Sequence, residues 1–365
     1  MEIKAAVLYE RGGPFKMETV SLDAPQDDEV LVKVVGTGIC HTDLVAKAGY
    51  IPSVPFPTVL GHEGAGVVEK VGKRVTKVAP GDHVAVSWRS CGVCPSCLAG
   101  NDPYCDAFFP MNFTGVRPDG STTMKKDTKA VHGSFFAQSS FATHLLAAEK
   151  NVVPVPKEIP LEIVGPLGCG VQTGAGAVMN AMKVKPGSSI AVFGVGTVGM
   201  SAVMAARVCG CTRIIAVDVH DGRLELAKSL GATDVVNASA GNVVESIREM
   251  TNGGVDYSLE CVGNPSVFRN AVDVLGMLGL CGLVGVIPPG TEVSLNMELI
   301  LNGRRIMGII EGDAIPDLFI PKLLDLYKQN RFPFDRLITY YPFDRIQDAI
   351  NDMEAGRVIK PVLKP

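Results

Sequence analysis

The stretch Gly187–Asp218, GSSIAVFGVGTVGMSAVMAARVCGCTRIIAVD, decides how the rest of the chain is read. Ser189 to Phe193 is a short apolar run of strand type. It breaks at Gly194 and passes into an alanine-rich and methionine-rich segment suited to a helix. Gly194, Gly196 and Gly199, with Val195, Thr197 and Val198 between them, fit the spacing G-x-G-x-x-G, and a second apolar run, Arg213 to Val217, ends in the carboxylate of Asp218. The first glycine permits a tight turn, the second lets the backbone approach a pyrophosphate, and the third lets the helix pack closely on the strand. Unpaired N–H groups at the helix start can then hold phosphates, and Asp218 can accept hydrogen bonds from an adenosine ribose. That carboxylate favours NAD, because the 2′-phosphate of NADP would meet a like charge. A glycine triplet alone is equally a packing turn; a strand before it, a helix after it and an acid ending the next strand select the dinucleotide.

Downstream the pattern continues with helix Arg223 to Leu230, strand Asp234 to Val236, helix Asn242 to Met250, strand Val255 to Glu260, helix Ser266 to Val274 and strand Leu280 to Gly285. Strands and helices in alternation predict a doubly wound parallel sheet, covered on both faces, which explains why the strands are near-continuous apolar runs. A further apolar strand, Ile306 to Ile310, and a helix, Leu318 to Gln329, follow; Leu337 to Tyr341 and Lys360 to Leu363 are strands that can return to the start of the chain. Upstream, Lys4 to Leu8, Glu29 to Val35 and the runs after His62 and His83 are short strands between glycine turns, which predicts a compact β barrel. Residues 106–133 are expected as a long loop with Lys125-Lys126-Asp127 as a solvated face, and 173–182 as a helix. The domain boundary is expected between about 156 and 170, where prolines and glycines interrupt the chain.

Composition narrows the class. At 365 residues the chain can hold two cores. A formal charge of −4 with 47% hydrophobic residues, and no basic tract, argues against nucleic acid as a partner. The opening MEIKAAVLYE is unlike a signal peptide, and no apolar stretch reaches membrane-spanning length, so a cytoplasmic protein without a membrane partner is expected. In a reducing compartment the ten cysteines favour metal chemistry over a disulfide framework. Cys91, Cys94, Cys97 and Cys105 are spaced C-x2-C-x2-C-x7-C in turn-forming sequence, as a closed structural zinc site requires; an iron–sulfur cluster uses the same spacing. Cys40, His62 and Cys169 each sit in a glycine-rich, irregular neighbourhood. Their donors would leave a tetrahedral zinc one open position, although spacing alone does not bring them together.

Gly61-His62-Glu63 with Gly66, the four-cysteine loop, Gly168-Cys169-Gly170 and the fingerprint at Gly194 together resemble the zinc-dependent medium-chain alcohol dehydrogenase family, over essentially the whole chain. The resemblance implies an α/β protein: a GroES-like β-barrel catalytic domain (1–165 and 312–365) and a Rossmann nucleotide-binding domain (166–311). It places Cys40, His62 and Cys169 on a catalytic zinc with Glu63 close by, Asp43 behind His62, and the four-cysteine loop on a structural zinc. Thr42 matches the hydroxyl that takes the substrate proton; its side chain is also suited to capping a short helix. His41 and Lys360 match residues at the cofactor pyrophosphate, Arg223 one beside the ribose, and Gly285 and Val286 the turn flanking the nicotinamide.

The implied reaction is hydride transfer from a zinc-bound primary alcohol to NAD, giving the aldehyde reversibly. Val45 stands where the family's full proton relay has a histidine, a departure that resembles the aryl or benzyl alcohol branch. Trp88, Phe109, Phe135, Phe136, Val286 and Ile310 match or adjoin cleft positions and imply an apolar pocket for an aromatic or allylic alcohol. A thiol adduct of formaldehyde and a geraniol or cinnamyl alcohol are the competing substrates, and a non-catalytic nucleotide-binding protein is the reading from another class. The family further implies a dimer or tetramer, for which the apolar strand at 306–310, if it lies at a sheet edge, offers a pairing surface.

Overall fold

A computed structural model describes residues 1–365. The chain divides into two compact units: Met1–Cys169 with Ile315–Pro321 and Asp335–Pro365, and Gly170–Ala314 with Lys322–Phe334.

In the first unit, the strands Glu2–Leu8, Phe15–Leu22, Thr58–Val59, Met124–Lys126 and Lys129–Val131 form one antiparallel sheet. A seven-stranded sheet runs in the order Val152–Pro154, His83–Val86, Glu63–Val71, Glu29–Gly38, Lys360–Lys364, Ile338–Pro342, with His144–Ala148 also paired to Glu29–Gly38. The C-terminal strands therefore return to the beginning of the chain, with Val362 opposite Gly38 and Leu363 opposite Thr37. Glu29–Gly38 is central because Val30, Val32 and Val34 are buried among Val68, Val84, Val86, Leu145 and Val152. Its pairing with Glu63–Val71 shifts register between Val34 and Gly36, close to where both strands enter the site described below.

The segment expected as a loop over 106–133 is more structured than its sequence suggests. Phe108–Phe113 is a helix, anchored by buried Phe108 and Phe113, and Asn112 is buried with its side chain bonded to Arg89 and Phe108. Met124–Lys126 and Lys129–Val131 form a hairpin whose turn uses Asp127 at φ 54°. Three-residue strands are too short to display an alternation, so the period-two signal was absent while the turn-forming Asp127 was present.

The second unit contains a six-stranded, wholly parallel sheet in the order Asp234–Asn237, Arg213–Asp218, Ser189–Phe193, Val255–Glu260, Leu275–Leu283, Arg305–Gly308. The strand that precedes the fingerprint lies in the middle, so the order reverses between Ser189–Phe193 and Val255–Glu260, the switch point at which doubly wound sheets bind ligands. Five helices connect successive strands: Thr197–Val208, Asp221–Leu230, Val243–Met250, Pro265–Asp273 and the short Met297–Leu301. The fifth strand begins at Leu275 and ends at Leu283, earlier at both ends than expected, and the sixth is Arg305–Gly308 at the sheet edge, with Ile306 exposed. The expected helix over 173–182 starts at Gly170 and loosens into a π-helix over Ala177–Ala181. The contact boundary falls at Cys169 and Gly170. Residues 312–314 and Lys322–Phe334, expected with the first domain, belong to the second unit, in which Leu323, Leu324, Phe332 and Phe334 are buried.

Two fingerprint glycines are required by geometry. Gly194 has φ +83°, and a side chain there would also press on Val262 at 2.5 Å. A Cβ on Gly199 would lie 2.1 Å from the carbonyl oxygen of Gly194, so the helix could no longer seat on the turn. Gly199→Ala is therefore expected to lower unfolding stability by about 1–3 kcal/mol through overpacking and to weaken dinucleotide binding, both measurable by denaturant titration with and without nucleotide.

Candidate metal centres and dinucleotide site

The strand Glu29–Gly38 ends just before Cys40, which caps the short helix His41–Lys47. Asp43, in the first turn, is fully buried and reaches back to organise the surrounding backbone. One carboxylate oxygen accepts the Cys40 N–H at 2.9 Å; the other accepts the Gly61 N–H at 3.1 Å and lies 2.9 Å from Nδ1 of His62. Next in sequence, Glu63 opens its strand, and Cys169 follows the tight helical turn Gly165–Gly168. Folding brings one donor atom from each of Cys40, His62, Glu63 and Cys169 within 4.8 Å of one another.

The donor chemistry fits a metal. With the Asp43 carboxylate as its partner, Nδ1 of His62 keeps a proton, so Nε2 is the nitrogen left to face a metal. Nε2 is buried and makes no hydrogen bond, a condition that costs about 1–3 kcal/mol unless a ligand relieves it. Two thiols and an imidazole suit zinc in particular. Proximity to the Cys169 sulfur, against the effect of burial and with help from His62 and Lys360, holds the Cys40 thiol well below its ordinary range. Burial opposes a charge on His62, but the Asp43 and Cys40 charges prevail and raise it well above the usual value. A cation seated among these donors would take the place of that imidazolium proton.

Glu63 shows the same competition: burial pushes its carboxyl up to about 7 against the pull of Lys360. Lys360, expected at the cofactor, is itself buried within the first unit. Its Nζ donates to the Ile39 carbonyl at 2.8 Å and to Glu63 at 2.9 Å. The reason is topological, since Lys360 opens the last strand, which lies against Glu29–Gly38 and sends the lysine stem inward to a carboxylate 297 positions away.

Around His62, Phe136 stacks on the imidazole with centroids 4.4 Å apart and Phe135 meets it edge-on at 5.6 Å. Both are buried, as is Trp88, which packs on Phe108. Phe109, grouped with them from sequence, is instead 65% exposed and stacks on Phe113, because it lies on the outer side of a helix whose Phe108 and Phe113 face inward. Val286 is exposed and Ile310 half-buried, both in the second unit. His41 is exposed, and Thr42 is half-buried with its hydroxyl 3.8 Å from the Cys40 sulfur. Thr42 occupies the second helical position, so Cys40 rather than Thr42 is the cap.

In the four-cysteine loop the donor atoms of Cys91, Cys94, Cys97 and Cys105 also lie within 4.8 Å of one another, and no cysteine of the chain is in a disulfide. Backbone N–H groups point at the sulfurs: Val93 and Cys94 donate to Cys91 at 3.5 and 3.3 Å, and Cys91 and Ala107 to Cys105 at 3.3 and 3.4 Å. The Val93 and Cys94 donors bring the Cys91 thiol down to about 6, whereas burial pushes Cys97 up to about 12 and raises Cys105. Only a cation at the centre lets all four ionise together.

In the second unit, Gly196 caps the twelve-residue helix Thr197–Val208, and a Cβ on it would meet nothing within 4 Å. The helix start is therefore open to a phosphate. Asp218 accepts the Val195 N–H at 2.9 Å with one oxygen, and those of Val219 and His220 at 2.8 and 3.1 Å with the other. It thus holds the fingerprint loop against the neighbouring strand, with Arg223 3.8 Å away. The Gly285 turn is tied to the end of strand Val255–Glu260 by N–H bonds from Val284 and Gly285 to the Glu260 carbonyl at 2.9 and 3.2 Å. Sequence reasoning passed over Gln138, whose buried carboxamide bonds to both neighbours of Glu63. Its only signal is a polar group, Gln138 to Ser140, set within an aromatic run.

Comparisons with known proteins agree along the chain. The family model described as alcohol dehydrogenase GroES-like domain matches residues 26–157, and the model described as zinc-binding dehydrogenase matches 197–329. The chain is 44% identical to the geraniol dehydrogenase of Castellaniella defragrans, covering 99% of this chain and 97% of that protein. It is 38% identical to the class-3 alcohol dehydrogenase of Myxine glutinosa, with the same coverage. The solved benzyl alcohol dehydrogenase of Acinetobacter calcoaceticus superimposes with a TM-score of 0.96 at 47% identity, covering 100% of this chain and 99% of that one.

Metal analysis is expected to find one zinc ion for each of the two clusters. Asp43→Asn should weaken metal binding at Cys40, His62 and Cys169 about 10–100-fold while leaving the four-cysteine ion in place, as read by chelator competition.

Proposed function

The chain belongs to the zinc-dependent medium-chain alcohol dehydrogenase family, and from that premise we propose that it oxidises an aromatic or allylic primary alcohol to the aldehyde, reversibly, with NAD as the hydride acceptor. The observation that carries this reading is Nε2 of His62, buried without a hydrogen bond beside Cys40 and Cys169 and flanked by the rings of Phe135 and Phe136. Likeness to a geraniol dehydrogenase and to a benzyl alcohol dehydrogenase supports the substrate class. No helix is long and apolar enough to cross a membrane.

Cys40, His62 and Cys169 would hold the zinc, with Glu63 near it. When bound, zinc supplies a Lewis acid that makes an alcohol acidic near neutral pH. The chain's own groups do the rest. Asp43 keeps the proton on Nδ1 of His62 and so fixes which nitrogen faces the metal. Thr42, beside Cys40, takes the hydroxyl proton and passes it outward. The buried rings of Phe135 and Phe136 exclude water from the space beside His62, and a bound NAD would supply the acceptor for the hydride, two electrons with one hydrogen, that the alcohol carbon gives up. The open start of helix Thr197–Val208 would hold the pyrophosphate of that NAD, and Asp218 would receive its adenosine ribose.

Val45 lies one helical turn after His41 and has no proton to transfer. The proton that Thr42 takes would therefore leave through His41 or water, or directly from the ribose of a bound NAD. Steady-state comparison of benzyl alcohol, geraniol, ethanol and hydroxymethyl-glutathione, each with NAD and with NADP, tests the assignment. Burial of an aromatic or allylic group should favour the first two over ethanol about 10–100-fold in kcat/KM, with NAD preferred; activity confined to the glutathione adduct, or a strong NADP preference, would overturn it. Val45→His should raise the rate of alcohol oxidation or shift its pH profile, and an unchanged rate and profile would show that proton exit limits nothing.

A further inference from the structure

Gln138 belongs to none of the motifs that identify the family, yet its carboxamide bonds to the backbone on both sides of Glu63 and to the carbonyl of Ser87, whose side chain reaches the turn before Cys169. Its Oε1 accepts the Gly64 N–H at 3.1 Å and its Nε2 donates to the His62 carbonyl at 2.9 Å, so it grips the chain on both sides of Glu63. The same Nε2 lies 3.3 Å from the carbonyl of Ser87. Ser87 in turn donates its hydroxyl to the carbonyl of Gly168 at 2.6 Å, next to Cys169. Two buried side chains thus join the backbone that carries His62 to the backbone that carries Cys169.

The segment around Gln138 is held in a costly conformation. Phe136, Ala137 and Ser139 all have φ between 51° and 53°, the left-handed region that residues other than glycine avoid. Each costs about 1–2 kcal/mol and persists only where its surroundings impose it. The surroundings do impose it here. The Phe135 N–H donates to the Ser139 hydroxyl at 2.8 Å, and that hydroxyl donates to the Val59 carbonyl at 2.6 Å. Ser140 and Phe141 donate from the backbone to Gly61 and Leu60, the residues leading into His62. The strained turn both aims Gln138 inward and lays Phe136 flat on the imidazole.

We propose that Gln138 is a positioning residue of the metal centre: with Ser87 as its relay, it locks His62 and the Gly168–Cys169 turn into one frame, so that imidazole and thiolate face a single cation. This rests on the metal reading given above. Asp43 sets the tautomer and ring direction of His62; Gln138 sets where the His62 backbone stands relative to Cys169.

The test uses the full chain with cobalt in place of zinc. Gln138→Met removes both arms of the clamp at similar volume, and Ser87→Ala removes only the link to Gly168. Gln138→Met should shift the cobalt d–d bands of the Cys40, His62 and Cys169 site and release that ion to dipicolinate about 10–100-fold faster. The four-cysteine ion should leave at the wild-type rate, and kcat should fall more than KM rises. Ser87→Ala should move the same quantities in the same direction by less, and it carries the test alone if Gln138→Met does not fold. Wild-type bands and release rates in the folded variants, even with a lowered melting temperature, would overturn the proposal and leave Gln138 a packing residue. A wild-type chain that binds only the four-cysteine ion would instead overturn the metal reading, and this proposal with it.

Discussion

Three N–H groups converge on the buried carboxylate of Asp43, and the grouping of Cys40, His62, Glu63 and Cys169 depends on that convergence. The Cys40 amide fixes the start of helix His41–Lys47, the Gly61 amide fixes the approach to the strand Glu63–Val71, and the imidazole of His62 takes its orientation from the same acid. A buried carboxylate is costly unless its lone pairs are used, so one side chain forces two distant pieces of backbone, at Cys40 and at Gly61–His62, into agreement. The nitrogen it leaves over, Nε2 of His62, is where that agreement becomes chemistry.

Charge balance around this point is met within the first unit. Cys40 tends to ionise, Glu63 is pushed toward neutrality by burial, and Lys360 supplies a buried positive charge that pairs with Glu63 at 2.8 Å. Burial works against the Lys360 charge, but Glu63 and Cys40 hold it above its ordinary range. The final strand, Lys360–Lys364, therefore does more than complete a sheet. It brings an ammonium group to the anionic side chains of the cluster, whose own charges would otherwise repel. The four-cysteine loop meets the same problem with backbone N–H groups directed at sulfur.

In the second unit the fingerprint is held by an acid in a comparable way. Asp218 accepts the Val195 N–H, so the carboxylate expected to meet a ribose also closes the loop expected to meet a pyrophosphate. Gly199 seats the helix on that loop and Gly196 leaves its start uncovered. These tasks are local, lying within one strand–turn–helix–strand sequence, which is why spacing alone made them legible.

What the amino-acid sequence determined without help was whatever depends on near neighbours: the alternating strands and helices of the second unit, the G-x-G-x-x-G turn, the clustered cysteines, and Cys40, His62 and Cys169 as members of a recognisable pattern. Its errors fell on elements too short to show a period, such as the hairpin at Met124–Lys126 and Lys129–Val131, and on single side chains whose face depends on packing, such as Phe109. Only the tertiary structure decided that Lys360 turns inward to Glu63, that Phe136 stacks on His62, and that Gln138 bridges His62 and Gly64 to Ser87. Each of these contacts spans from about 50 to almost 300 positions of chain. A glutamine or lysine has the same local propensities whether it ends in water or in a core; which of the two it meets is fixed only when distant strands close around it.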